Sequence, residues 1–141
     1  MKILKQLPPN YEAIERLFGL ANIRNAVFTY GDTVYAPTAR LEADGTVHLS
    51  GDLEAHEAVH ITQQATYGVD AWWSIYLSDP AFRLAQELQA YRAQYEWAIT
   101  NMARPSRRRL LMAISKSLSS KMYGIIIARE QACELIKGGM E

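Results

Sequence analysis

An α+β fold, mainly helical, with a small antiparallel β-sheet ahead of a motif-bearing helix and further C-terminal helices, is what three observations predict. Segments of strand composition lie before residue 50. From Asp52 onward the apolar positions follow helical spacing, punctuated by Asp79-Pro80 and Arg104-Pro105. A length of 141 residues, with 49% hydrophobic and 21% charged residues, suits one globular domain spanning residues 1–141, because a chain of this size buries enough surface for one core.

After Pro8-Pro9, Asn10 is placed to cap a short helix carrying Ala13, Ile14, Leu17 and Phe18, with Gly19 near its end. Ala26-Val27-Phe28-Thr29-Tyr30 has strand composition, and Gly31-Asp32 turns it into Thr33-Val34-Tyr35-Ala36-Pro37, a β-hairpin. Asp44-Gly45, between short extended pieces from Leu41 to Leu49, predicts a second hairpin. Asp52 is expected to N-cap a helix from about Leu53 to Tyr67, ended by a left-handed Gly68. A connector through Trp72-Trp73, read as core or cleft-wall packing, leads to Asp79-Pro80. There the side-chain cap and the proline at the first helical position open a long helix to about Met102. Helices from Ser106 to about Leu118 and from about Ile127 to Ile136 follow, with Ser119 to Gly124 as their connector.

His56-Glu57-Ala58-Val59-His60 falls in the middle of the first long helix. Spacing of i, i+4 puts both imidazoles on one helix face with a carboxylate beside them. Tyr67 falls on the same side, with Gln63, Gln64 and Glu57 adjoining, so a polar stripe marks the site candidate. With three His and ten Glu in the chain, a chance H-E-x-x-H is on the order of half a percent. A catalytic zinc needs a third protein ligand and a position left for water. Only His48 remains outside the motif as a third histidine, so that ligand is His48 or a carboxylate. Helix length and spacing favour Glu87, 27 residues past His60, over Glu96, and Ala90 would permit close approach of the two helices.

Equal numbers of basic and acidic residues, 15 each, argue against nucleic acid or an anionic membrane as partner. No stretch approaches the length of a membrane span and no signal peptide opens the chain, so cytoplasmic residence is expected. Cys133 has no partner for an internal disulfide and reads as a small packed side chain. Arg104-Pro105-Ser106-Arg107-Arg108-Arg109 reads as a solvated or carboxylate-paired surface. A di-iron helical protein would require a second E-x-x-H, and no His follows residue 60.

From Ala55 to Arg92 the chain resembles the gluzincin class of zinc metallopeptidases, in which H-E-x-x-H on one helix is followed by a glutamate ligand on another. Glu87-Leu88-Gln89-Ala90-Tyr91 is similar to the second-helix pattern of that class, with Tyr91 where an Asp usually orients the first His. His56 to Gln64, and Leu118-Ser119-Ser120-Lys121-Met122-Tyr123-Gly124, are similar to short metallopeptidases encoded by phages and prophages. The resemblance implies a minimal zincin-like fold and one Zn2+ per chain on His56, His60 and Glu87. It also implies a peptide or protein substrate, and Glu57 as general base for a zinc-activated water. Tyr91 would then receive the second ring nitrogen of His56, and His48, Tyr67, Tyr91 and Tyr123 are the candidate oxyanion donors. An extended segment ending at His48 would align substrate as an edge strand. The alternative is a catalytically inactive zincin-like protein with a phage-associated binding or regulatory role. Peptide deformylase also carries H-E-x-x-H, but its cysteine ligand precedes the motif helix, whereas Cys133 follows it.

Overall fold

The computed structural model describes residues 1–120, 124 and 127–140. Among these the order is β1 (Lys2–Leu4), α1 (Tyr11–Phe18), α2 (Leu20–Ile23), β2 (Phe28–Tyr30), β3 (Thr33–Tyr35), α3 (Gly51–Tyr67), α4 (Val69–Ser78), α5 (Pro80–Asn101), α6 (Arg104–Leu118) and α7 (Arg129–Lys137). The fold is therefore α+β and mainly helical, as expected. No helix among the described residues is long and apolar enough to cross a membrane.

The sheet departs from the expected antiparallel one. Its order is β1-β3-β2, with β2 and β3 antiparallel but β1 and β3 parallel. The extra strand comes from the N-terminal Lys2–Leu4, too short a segment to show alternation. The Gly31-Asp32 turn forms as predicted, whereas the second hairpin reduces to one isolated bridge, Leu41 to Val47. The segment ending at His48 thus does not belong to the sheet.

Two helix starts also differ from expectation. The α3 N-cap is Ser50, not Asp52; Asp52 turns its carboxylate to the Gln94 amide instead. Asn10 precedes α1 without a side-chain cap bond. By contrast, Asp79 accepts from the backbone N–H groups of Ala81 and Phe82 and Pro80 opens α5, the device that sequence predicts. Gly68 ends α3 at φ 87° and ψ 136°, positive φ but outside the left-handed helical well. The chain leaves it directly into α4 rather than a connector, and α4 buries Trp72, Trp73 and Tyr76.

Two apolar clusters flank a polar middle. Ile14, Ile23, Phe28, Trp72, Trp73 and Tyr76 join α1, α2, β2 and α4. Tyr91, Tyr95, Leu111, Ile114, Leu118 and Ile136 lie within the cluster that joins α5, α6 and α7. Between them α3 packs along α5, the most extensive contact among the described elements. Gly51 allows that approach, since a methyl there would lie 2.2 Å from the Trp97 ring, and Ala90 is fully buried. The five buried residues of α3 are His56, Glu57, His60, Gln63 and Gln64. A core helix that buries only polar side chains carries a large desolvation cost, tolerable only where each group is hydrogen-bonded.

Candidate metal centre

His56 and His60 project from successive turns of α3 towards Glu87 on α5, and all three are buried. Nε2 of His56 lies 3.2 Å from Nε2 of His60. Glu87 Oε2 lies 3.1 Å from the first of these nitrogens and 3.4 Å from the second. Three donors each roughly 2.0–2.1 Å from a tetrahedral ion would stand about 3.3–3.4 Å apart. The observed triangle has that size, so the three side chains are close enough to bind one metal ion.

The hydrogen bonds behind the triangle settle which atoms turn towards its centre. Gln94 Nε2 donates to Asp52 Oδ2 at 2.8 Å, which leaves Gln94 Oε1 to accept from His56 Nδ1 at 3.0 Å. Gln63 Nε2 donates to the Gln86 carbonyl and to Gln89 Oε1, which leaves Gln63 Oε1 to accept from His60 Nδ1 at 2.9 Å. Carboxylates and carbonyls only accept, so both rings carry their proton on Nδ1 and turn Nε2 lone pairs to the same point. Tyr76 completes the set by donating to Glu87 Oε1 at 2.5 Å, leaving Oε2 with the imidazoles. Three lone-pair donors facing one another at such range repel unless a cation or a proton lies among them.

Without metal, a proton takes that place. Burial by itself would lower the His60 pKa, but the Glu87 charge and hydrogen bond, with Glu57 and Gln63 adding, raise it from 6.5 to about 9. Burial would likewise favour a neutral Glu87, yet His60 and His56 hold its carboxyl well below the usual range. Burial, followed by the Glu87 charge, pushes the Tyr76 hydroxyl well up, so it remains a donor. The signs give a stability profile. His60 stabilises the metal-free fold fully below pH 6.5 and loses that contribution as pH rises through about 9. Glu87 contributes above its ordinary 4.5 and loses it as pH falls. Thermal melts of metal-free protein are therefore expected to show a falling Tm from pH 6.5 to 9. Protein loaded with a divalent metal ion should not show it, because the ion would replace the proton; the same decline in both forms would contradict this.

Glu57 stands next to the triangle on α3, buried, with Oε2 accepting from Thr29 Oγ1 at 2.6 Å. Thr29 sits on β2, and its carbonyl accepts from Gln64 Nε2 and Trp73 Nε1. Gln64 Oε1 also accepts from the Gly31 N–H. The strand is thereby stapled to α3 and α4. This carbonyl of the edge strand is already engaged, so it is not an open main-chain rail for a substrate. The Glu57 carboxylate and the triangle line one cavity of about 720 Å³, bounded by α1, α2, β2 and the end of α6.

The remaining sequence-predicted residues fall in different places. Tyr91 lines the cavity and meets the His56 ring edge-on, with centroids 4.7 Å apart. The His56 Nδ1 bond expected at Tyr91 is made by Gln94 instead, because a residue seven past Glu87 returns to the same face two turns on. His48 pairs with Glu42 at 2.6 Å, outside the residues that line the cavity. Tyr67 is half exposed and packs on Phe82. Glu96 is exposed, and Tyr123 lies outside the described residues. Gln94, Gln63, Tyr76 and Thr29 were not singled out from sequence for these roles. Gln63 and Gln94 carry the faint signal of helical spacing from His60 and Glu87; Tyr76 and Thr29 carry none.

Replacing Gln94 by Leu removes the acceptor that orients His56 and strands the Asp52 carboxylate. It is expected to weaken metal binding about 10–100-fold, measured by competition with a chromophoric chelator. Unchanged affinity would show that His56 needs no such support. Comparison with protein-family models, curated proteins and solved structures gives no match.

Proposed function

We propose that the chain is a zinc-dependent peptidase in which Glu57 is the general base. The observation that carries this reading is the burial of a wholly polar α3 face, with His56 and His60 converging on Glu87 and a second carboxylate alongside in an open cavity. Stability alone does not favour such a cluster, since well-packed apolar side chains commonly match or exceed buried ionic groups. Two imidazoles and one carboxylate form a ligand set of catalytic zinc, which leaves a position for water or substrate. When bound, zinc supplies Lewis acidity that polarises a carbonyl and brings the pKa of a water from 15.7 to about 7.

The protein's own groups supply the proton handling. Thr29 Oγ1 fixes Glu57 through Oε2, leaving Oε1 to take a proton from the attacking water and return it to the leaving amine. Amide hydrolysis needs both transfers, and one carboxylate held in a single orientation serves both. Gln94 and Gln63 keep the histidines in the ligating tautomer, and Tyr76 keeps Glu87 turned towards them. Tyr91, lining the cavity beside His56, is the described side chain best placed among the sequence-predicted oxyanion donors.

Metal analysis of purified protein, paired with digestion of an unbiased peptide library, tests the reading. One zinc per chain is expected, with cleavage lost on chelation and regained on adding zinc. A zinc-loaded chain that cleaves nothing across a broad library would overturn it.

A further inference from the structure

α6 carries Arg104, Arg107, Arg108, Arg109 and Lys116 and no acidic residue. Sequence allowed these cations to be carboxylate-paired, yet among the described residues none of them forms an ion pair. Among the described residues Arg109 bonds the Ser106 hydroxyl, one turn back. The arrangement opposes the local physics: like charges at i, i+3 and i, i+4 repel, and cations at a helix start oppose the macrodipole.

The exposed face gives the cluster a direction. Leu111, Ile114, Ser115 and Leu118 turn into the core, so Arg108, Met112 and Lys116, spaced four apart, form one solvent-facing row. Met112 is 51% exposed. At the end of the row Lys116, Ser117 and Ser120 line the cavity that contains the metal triangle and Glu57. A row with Arg108 and Lys116 at its ends and Met112 between them therefore runs along α6 to the cavity wall.

We propose that this row is a docking track for an acidic segment of the polypeptide that enters the cleft, an inference that rests on the peptidase reading and names its substrate class. From Arg108 to Lys116 the helix rises about 12 Å. An extended peptide covers that distance in about four residues. Acidic side chains about four residues from the one beside Lys116 would thus meet Arg108 and Arg109, where each guanidinium fork can hold one carboxylate through two parallel N–H···O bonds. A polypeptide fits better than a nucleic acid. The row ends at the cavity and belongs to a chain with 15 basic and 15 acidic residues, without the excess positive charge of a phosphate-binding domain.

Fluorescence anisotropy with the zinc-loaded Glu57→Gln chain tests the track, using a short Glu-rich peptide and its Gln-matched counterpart. The acidic peptide is expected to bind roughly tenfold more tightly or better, with the difference shrinking at high salt. The double change Arg108→Glu and Arg109→Glu should abolish the preference while zinc content and helical circular dichroism are kept, and Arg108→Lys with Arg109→Lys should restore part of it. Equal binding of the two peptides, a preference that survives the charge reversal, or tighter binding of duplex DNA than of the acidic peptide would overturn the proposal. Acidic-peptide binding by a protein whose wild type cleaves nothing would leave the track standing and remove the peptidase. Cleavage without an acidic preference would do the reverse.

Discussion

On the proposed peptidase reading, the Glu57→Gln chain is expected to bind metal as the wild type does and to hydrolyse peptides about 10²–10⁴-fold more slowly, the range lost with a positioned general base. The substitution is close to isosteric, and the amide oxygen can still accept from Thr29 Oγ1, which holds Oε2 at 2.6 Å in the wild type. What it removes is the ability to take up a proton. Glu57 is not among the three converging donors, so metal content should not change. Single-turnover rates and metal content measured together separate the roles. Retained hydrolysis would refute Glu57 as base, and lost metal would make it a ligand or a structural support instead.

Glu87→Gln should have the opposite signature: metal affinity falling by more than about 100-fold, beyond what loss of an orienting group causes, with activity lost for that reason. Tyr76 can still donate to the side-chain oxygen that replaces Oε1, so the local packing is kept while the anionic donor is gone. The variant has a second readout that needs no catalysis. The Glu87 charge is the chief influence that raises His60 against burial. Without it burial prevails, His60 is neutral at lower pH, and the alkaline decline in Tm of the metal-free protein should disappear. A variant that binds metal normally, or that keeps that decline, would contradict the assigned role of Glu87.

The features legible in sequence are those with a spacing or a backbone rule behind them. The i, i+4 histidines, the Asp79-Pro80 helix start and a glutamate on the following long helix each follow from helical geometry, and the structure places His56, His60 and Glu87 together. The groups that orient them were not legible, because a glutamine has no signature until its neighbours are known. Gln94 is itself oriented by Asp52, a residue whose carboxylate read as a helix cap. The Thr29 to Glu57 bond joins a strand to a helix 28 positions away, and no local pattern announces it. Trp72-Trp73 read as a connector because adjacent aromatic residues give no periodicity, whereas the packing of α4 on β2 and α1 makes them helical and buried. The sheet misled for a related reason: β1 is three residues long, and its partner lies about thirty positions on, at Thr33 to Tyr35.

The central claim is that α3 and α5 direct two imidazole nitrogens and one carboxylate oxygen at a single cation. X-ray absorption at the zinc edge of the loaded protein tests it most directly. Two histidines and a light oxygen donor at roughly 2.0–2.1 Å, with no sulfur, are expected, the two-imidazole signature being lost in His60→Ala. A spectrum with Cys133 sulfur, with no more than one imidazole, or unchanged in that variant would contradict it.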